Sequence, residues 1–142
     1  NQYMGTWYEI ASFPNWFQRG CQCTTAHYTL KKNKVKILNQ CYKGKEFKKS
    51  SAKGTGWSVS NNQNSKLKVR FFWPFKGDYW ILYLSPDYKQ AIVGSPNRRY
   101  LWILSRTPTL DSKTLNHLIN IAKNKHYDTD KLNMTYQGCK QD

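Results

Sequence analysis

Seven short segments of this chain alternate polar with apolar residues, and turn sequences separate them at intervals of roughly ten residues. A period of two is typical of β-strands that have one solvated face and one buried face. The even spacing predicts an antiparallel meander, and closing a meander into a barrel removes its exposed edges. The segments are Cys23–Lys31, Lys34–Tyr42, Gly54–Ser60, Lys66–Trp73, Asp78–Leu84, Tyr88–Val93 and Arg99–Arg106.

An eighth strand is needed to complete such a barrel. We expect it from the N-terminal stretch near Trp7 or, preferentially, from one of the seven segments continuing around a bend. After Pro108 the period changes, because Asp111 can cap a helix whose apolar residues recur at helical spacing. We expect this one amphipathic helix to lie on an apolar surface outside the barrel, with a short final strand, Leu132–Tyr136. The apolar helix positions are Leu115, Leu118, Ile119 and Ala122.

Length and composition agree with this all-β prediction. A chain of 142 residues is expected to form one domain, 1–142, with its own core. Aromatic residues make up 15% of it although mean hydropathy is low, at −0.81. That combination favours strands with two unlike faces over a helical bundle. The formal net charge of +15 favours contact with anionic surfaces such as phospholipid headgroups, although scattered lysines are equally expected from biased composition.

The four cysteines, Cys21, Cys23, Cys41 and Cys139, favour disulfides in an oxidising compartment. A zinc site is the rival interpretation, but Cys21 and Cys23 lack the usual CxxC spacing, and we expect no metal. Cys41 lies late on its strand, near the start of the preceding one. A Cys21–Cys41 bridge would therefore tie the open end of that hairpin, although pairing of Cys23 with Cys41 stays open.

Strand alternation predicts which side chains share the interior. A two-residue turn at Lys32-Asn33 would pair Lys31 with Lys34, which puts Tyr28 opposite Ile37 and Asn39 next on the same face. If Tyr28 points inward, Thr24 and Ala26 do as well. Two further sets share a face: Leu67, Val69, Phe71 and Trp73 on one strand, and Tyr100, Trp102 and Leu104 on another.

Three motifs occur in the order and spacing of one family. Gly5-Thr6-Trp7-Tyr8 resembles the G-x-W motif that opens lipocalins, Asp87-Tyr88 resembles their second signature, and Arg106 their third. The chain is similar to lipocalins of the bacterial outer-membrane lipoprotein type and the apolipoprotein D type, and the resemblance covers nearly all of it. Segments that carry this closer likeness are Tyr8-Glu9-Ile10-Ala11, Phe17-Gln18-Arg19-Gly20, Asn97-Arg98-Arg99-Tyr100 and 101–108.

The resemblance implies an eight-stranded up-and-down lipocalin barrel that carries one hydrophobic ligand, with a fatty acid or lysophospholipid favoured and a role in membrane lipid maintenance. It implies that Arg106 lies across Trp7 at the barrel floor, a role that a planar cation and an indole ring suit. Tyr28, Asn39, Phe71 and Trp102 match cavity-lining positions, which Val69 and Tyr100 extend by strand parity. Cys23 matches the cysteine that pairs with the C-terminal one, here Cys139, and the swapped connectivity stays open.

The resemblance also implies a bacterial outer membrane location, lipid-anchored on the periplasmic side, or the periplasm, with secretion as the alternative. A lipid-modified N-terminal cysteine is absent from this sequence, so anchoring rests on the likeness alone. We expect a monomer or weak homodimer and no cofactor.

Two other functions are weighed against ligand carriage. A lipid-modifying lipocalin enzyme would need a cavity thiolate, and four bridged cysteines would leave none, so we expect no enzyme. Interleaved basic and aromatic residues also suit single-stranded nucleic acid, but the motifs argue against such a partner. His27 alternates with Tyr28 and is expected to face outward.

Overall fold

Nine strands and one α-helix organise the residues described by the computed structural model, which are 3–14, 20–31, 34–44, 46, 48–58, 66–72, 75–95 and 97–139. Of residues 57–58, 66–72 and 75–79 the backbone alone is described. The elements are β1 (Gly5–Ser12), β2 (Cys21–Lys31), β3 (Lys34–Lys43), β4 (Lys48–Ser58), β5 (Lys66–Phe72), β6 (Phe75–Leu84), β7 (Gln90–Gly94), β8 (Leu101–Ser105), α1 (Ser112–Asn124) and β9 (Asn133–Met134).

The first eight strands form a closed antiparallel barrel. From β2 to β8 each strand pairs with the next along the chain, and β1 pairs with both β2 and β8. Tyr8 is opposite Thr25 on one side and Ser105 on the other, so the sheet has no break at this level. The all-β up-and-down barrel predicted from the spacing of the strands is confirmed, and β9 is added beside the end of β1.

The β2–β3 hairpin has the predicted register. Lys31 is opposite Lys34, and Tyr28 is opposite Ile37. Both Tyr28 and Ile37 are buried, whereas Lys36 beside them is exposed. Period-two patterning and a short connection therefore fix this register locally.

Other strand predictions need correction. The expectation that the eighth strand continues another segment around a bend is wrong, because Gly5–Ser12 is itself that strand. β4 begins at Lys48, well before Gly54, and β7 begins at Gln90, because Tyr88 has a positive φ of 59° that a strand cannot accommodate. β8 and β9 are shorter than predicted. The predicted strand ends at Ser60 and Trp73 lie outside the described residues.

A five-residue turn, residues 85–89, connects β6 to β7 below the barrel. The Ser85 hydroxyl donates to Asp87 over 2.6 Å and accepts from the Gln90 N–H over 2.9 Å. The hydrogen bond from the Ser85 hydroxyl is the main cause that lowers the pKa of the Asp87 carboxyl. Tyr88, in the left-handed region, donates its N–H to the Ser85 carbonyl. The predicted Asp87-Tyr88 signature is thus a side-chain-locked turn.

The turn from β7 to β8 repeats that geometry at the opposite end of the barrel. The Ser95 hydroxyl donates to Asn97 over 2.6 Å and accepts from the Tyr100 N–H over 3.1 Å, and Arg98 has a φ of 63°. This second turn is also fastened from outside, since the buried Tyr127 hydroxyl donates to the Ser95 carbonyl. Burial raises the pKa of Tyr127, and the Arg98 cation partly offsets the rise.

The helix begins where the sequence predicts. Asp111 is its N-cap, and the Asp111 carboxylate accepts from the Thr114 N–H over 3.4 Å. Leu118 and Ala122 are buried against the outer faces of β1, β7 and β8. The helix thus covers one wall of the barrel. The strand residues of this outer cluster are Ile10, Ala11, Ile92, Leu101 and Ile103.

Candidate functional site: the barrel interior

Two separate apolar clusters show which side of each strand faces the lumen. On β8, Trp102 and Leu104 belong to the inner cluster, whereas Leu101 and Ile103 belong to the outer one beneath the helix. Neighbouring residues thus alternate between the two clusters, as they must on a pleated strand. The buried members of the inner cluster are Tyr3, Trp7, Ala26, Tyr28, Ile37, Ala91, Val93 and Leu104.

The floor of the lumen is closed by Trp7 and Arg106. Trp7 is fully buried, and the Arg106 guanidinium carbon lies 3.8 Å from the centroid of its ring. Arg106 also donates to the carbonyls of Thr6 and Met4, at 2.9 and 2.8 Å. The structure therefore brings together the two residues that the sequence paired, and it adds two charge-assisted hydrogen bonds to the chain entering β1.

Two N-terminal residues complete this floor. The Trp7 indole donates to the Tyr3 carbonyl over 2.7 Å, and the Tyr3 ring lies 5.1 Å from that of Trp7. Gly5 has a φ of +100°, and a Cβ there would stand 3.3 Å from the Arg106 side chain. Glycine in the first motif thus permits the guanidinium to approach the backbone. Burial of the guanidinium lowers the pKa of Arg106, which Tyr3 partly opposes.

Higher in the lumen, the predicted ligand residues become progressively more accessible. Tyr28 is 3% exposed near the floor, whereas Trp102 on the inward face of β8 is half-buried, as is Tyr100, which directly precedes that strand. Their rings stack with centroids 5.9 Å apart. Asn39 is opposite Ala26 and is also half-buried. The structure therefore places Tyr28, Asn39 and Trp102 at inward positions of β2, β3 and β8, with Tyr100 stacked on Trp102.

The wall formed by β4 carries small residues on its inner side. Asn39 is opposite Ala52, Ile37 opposite Gly54, and Val35 opposite Gly56. This pattern went unnoticed in the sequence because Lys48–Lys53 has no large apolar residue, although the alternation of small residues was a readable signal. The two remaining predicted residues, Val69 and Phe71, lie in β5. Val69 is opposite Gly56, and Phe71 comes two residues after Val69. Their side chains are outside the described part of the structure.

A polar group at the top of β1 is a feature that sequence reasoning missed. Glu9 is 5% exposed and is opposite Leu104 on β8, two residues after inward-facing Trp7. Its carboxylate accepts from the Thr135 hydroxyl over 2.5 Å and, at 3.4 Å, from Ser12. A charged residue within an apolar strand was the available signal, since buried carboxylates are rare unless they are paired.

The C-terminal segment is joined to the barrel where β1 and β2 separate. The Gln137 side-chain amide donates to the carbonyls of Glu9 on β1 and Thr24 on β2, at 2.7 and 3.0 Å. Cys23 is disulfide-bonded to Cys139, and its N–H donates to the Tyr136 carbonyl. This segment therefore fills the side opening between the two strands.

The second disulfide joins Cys21 to Cys41 at the same end of the barrel. The structure thus has the connectivity that the family resemblance implied and not the swapped one. With all four cysteines bridged, no free thiol remains to act as a nucleophile. His27 faces outward and exchanges a 2.8 Å hydrogen bond with Thr6.

The described residues contain neither a cluster of metal ligands nor a helix that could span a membrane. No group of three or more His, Cys, Asp or Glu side chains is arranged to hold a metal ion there. In the same part of the chain, no helix is long and apolar enough to cross a bilayer.

The barrel floor is closed by Arg106 stacked on Trp7, and aromatic side chains line the lumen above it. The sequence comparisons agree with this architecture. Residues 1–137 match the family model described as a lipocalin-like domain. The chain belongs to the lipocalin-like family. Among its relatives, temperature-induced lipocalin-1 of Arabidopsis thaliana is 40% identical over 147 residues, which cover 96% of this chain and 78% of the relative.

Bacterial and animal lipocalins are also similar. The outer membrane lipoprotein Blc of Escherichia coli K12 is 36% identical over 131 residues, covering 92% of this chain and 74% of that protein. Apolipoprotein D of Macaca fascicularis is 34% identical over 147 residues, covering 96% and 76%. These are the two types of lipocalin to which the sequence motifs pointed.

Solved structures support the same fold. Apocrustacyanin C1 superposes with a TM-score of 0.79 at 20% identity, covering 98% of this lipocalin-like chain and 79% of the other. Insecticyanin of the tobacco hornworm Manduca sexta gives a TM-score of 0.71 at 22% identity, covering 94% and 78%.

Proposed function

We propose that this lipocalin-like protein, as a single domain over 1–142, binds and carries one small hydrophobic ligand in its barrel, with a fatty acid or a lysophospholipid as the favoured occupant. The observation that carries the proposal is the exposure of inward-facing residues in the upper lumen. Trp102 packs against the inner cluster, Asn39 is opposite inward-facing Ala26, and Tyr100 stacks on Trp102, yet all three remain only half-buried. An interior packed solid from floor to mouth would bury all three.

Small residues on the β4 wall give the ligand room. Ala52, Gly54 and Gly56 occupy the inward positions of that strand, whereas Trp102 and Leu104 occupy those of β8. A barrel of eight strands can be either filled or hollow, depending on such side chains. This combination of one aromatic wall and one nearly bare wall suits a slender, flexible chain better than a broad ring system.

An acyl chain has enough apolar surface to bind there. Each buried methylene contributes about 0.8 kcal/mol, so a chain of about sixteen carbons supplies on the order of 10 kcal/mol before association costs. An acidic headgroup would remain at the mouth, which is the end opposite Trp7. Exposed cations lie on the turns at that end or on the strand residues beside them: Lys43, Lys48, Arg98 and Arg99.

The relatives suggest where such a carrier works. Relatives in Escherichia coli and Vibrio cholerae are named outer membrane lipoproteins. We therefore place this protein at a bacterial outer membrane, lipid-anchored on the periplasmic side, or in the periplasm, in the maintenance of membrane lipids. Secretion is the alternative, and two disulfides suit any of these oxidising compartments.

The test is direct ligand analysis of the protein. Lipids extracted after native purification should give a fatty acid or lysophospholipid by mass spectrometry. Titration of delipidated protein with palmitate and with lysophosphatidylcholine should change tryptophan fluorescence, and Trp102→Phe should remove most of that change. Trp7→Phe is the matched control, because Trp7 is sealed beneath the lumen and its replacement should leave the titration visible.

Two results would contradict the proposal. One is recovery of no hydrophobic compound together with no response to either lipid. The other is saturable binding that Trp102→Phe leaves fully visible, since the ligand would then lie outside the upper lumen.

A further inference from the structure

The outer surface of β2, β3 and β4 carries lysines and no acidic residue. None of the three strand sequences contains Asp or Glu. Five of their lysines alternate onto the outward side, and all five are exposed. We name these residues the lysine face: Lys31, Lys34, Lys36, Lys49 and Lys53.

Cross-strand contacts show that these side chains share one outer surface. Lys36 on β3 donates to the Thr55 hydroxyl on β4 over 3.4 Å. Lys31 and Lys34 are directly opposite each other at the end of the hairpin. Like charges directly opposite each other repel and destabilise the pairing. Because the three strands carry no Asp or Glu, no carboxylate on them neutralises the lysine face.

The remaining charges accentuate this one-sided distribution. Residues 21–77 contain 13 of the 23 Lys and Arg residues and one of the eight Asp and Glu residues, Glu46. Glu46 is in the mouth turn, 3.8 Å from Lys48. In the backbone register of β5, Arg70 is opposite Thr55. On the other side of the barrel, the N-cap of α1 and the segment after the helix carry Asp111, Asp128 and Asp130, so that lysines there such as Lys113 and Lys131 are interspersed with acidic residues.

We propose that the lysine face is a docking surface for an anionic phospholipid bilayer. Three adjacent strands form a broad surface, about 10 Å across and 30 Å long, whose cations are spread in two dimensions like the headgroups of a membrane. Thr29, Gln40 and Ser51 lie between the lysines, and Tyr42, which is opposite Lys49, is half-buried. The face therefore offers cations more openly than it offers the exposed aromatic rings on which the bases of nucleic acid stack.

The position of the face connects it with lipid carriage. β3 ends and β4 begins at the mouth, where Lys43 and Lys48 are exposed. A barrel lying with its lysine face on the bilayer therefore has its mouth beside the headgroups. Docking itself depends on charge and does not require that the lumen holds a ligand. This inference can consequently fail or succeed independently of the carrier function.

The experiment is co-sedimentation of the full chain with phosphatidylcholine vesicles, prepared with and without phosphatidylglycerol. We expect binding to the anionic vesicles alone, and its loss at high salt, because surface charges are screened. Lys36→Glu with Lys53→Glu should lower partitioning by about thirtyfold or more. The matched control is Lys113→Glu with Lys131→Glu, which changes net charge equally on the helix side and should retain binding.

Further measurements keep the inference open to refutation. Circular dichroism establishes that each variant is folded, and Lys36→Gln with Lys53→Gln provides a milder form of the same test. Palmitate titration of the lysine-face variant should match that of the unmodified protein. The inference is overturned if the control pair loses binding as strongly as the face pair, if neutral vesicles bind equally well, or if heparin or an oligonucleotide competes the protein off anionic vesicles at stoichiometric amounts.

Discussion

Arg106 lies flat against Trp7, with its guanidinium carbon 3.8 Å from the ring centroid, and thereby links the last barrel strand to the first. The two residues are far apart in sequence, and the same side chain donates to the carbonyls of Met4 and Thr6. One arginine thus fastens the N-terminal entry to the place where the barrel closes. Its role follows from planarity and charge together.

Arg106→Ala should lower the free energy of unfolding by about 2–4 kcal/mol, because it removes a cation–π contact and two charge-assisted hydrogen bonds. Arg106→Lys should recover only part of this loss, since an ammonium cannot stack as a plane while donating to two carbonyls. Urea denaturation measures both changes. An unchanged midpoint for Arg106→Ala would refute a structural role, and palmitate affinity should be nearly unaffected in either variant.

The two disulfides should contribute unequally. Cys23–Cys139 spans 116 residues and Cys21–Cys41 spans 20. In the chain-entropy description their removal costs about 5 and 3 kcal/mol respectively. Replacing each pair by serine and measuring thermal unfolding tests this order. Equal losses, or a larger loss for the shorter span, would show that constraint of the unfolded chain is not the main effect.

Tyr88→Gly should stabilise the protein by about 1 kcal/mol. Tyr88 has a φ of 59° in the turn before β7 and is 40% exposed, so glycine relieves backbone strain while little packing is lost. Lys89→Gly is the control, since Lys89 has no positive φ and should lose stability instead. Thermal melts distinguish the two, and a destabilised Tyr88→Gly would mean that the ring contributes more than the strain.

Asp111 should make unfolding depend on pH in acid. Its hydrogen bond with Thr114 is the main cause that holds the pKa of Asp111 below its ordinary value of 3.8. A depressed pKa in the folded state gives stability that is present above 3.8 and is lost as pH falls through the folded value. Asp111→Asn keeps the cap without the titration, so its urea midpoint should fall less between pH 6 and pH 3. Equal slopes would contradict this assignment.

Filling the bare wall of the lumen should abolish lipid binding. Ala52→Trp places an indole at an inward position of β4, opposite Asn39, and should lower palmitate affinity at least about tenfold. Ser51→Trp is the control, because Ser51 is the exposed outward neighbour on the same strand. Fluorescence-independent calorimetry suits both variants, since each adds a tryptophan. Similar affinities for the two would place the ligand elsewhere.

Local signals explain which parts of the fold were predictable. The hairpin pairing of Lys31 with Lys34 and the cap at Asp111 depend on neighbouring residues, and both occur as predicted. The pairing of β1 with β8 depends on contacts between Tyr8 and Ser105, which no local pattern specifies. β4 was placed too late because Ser50 and Ala52, which precede Gly54 on its inward side, are small and give no apolar alternation.

Strand parity accounts for where the structure places the predicted lumen residues, whereas their role in ligand binding stays a prediction. Trp102 packs against the inner cluster as alternation required, and Tyr100, which precedes β8, stacks on it. Glu9 was missed because period-two reasoning sorts residues by hydrophobicity, and a buried carboxylate contradicts the sorting. Its partner Thr135 comes from the C-terminal segment, so that the contact is visible only once the chain has folded.

The tie between Tyr127 and Ser95 makes the rim of the barrel mechanically uneven. The turn before β8 is clamped to the helix end by that bond and by the one from Arg98 to the Lys125 carbonyl. The turn from β3 to β4 has no such clamp among the described residues, and Lys43 and Lys48 are exposed on either side of it. If the proposed acyl chain enters through the mouth, we expect the side flanked by Lys43 and Lys48 to move more than the side that these hydrogen bonds hold.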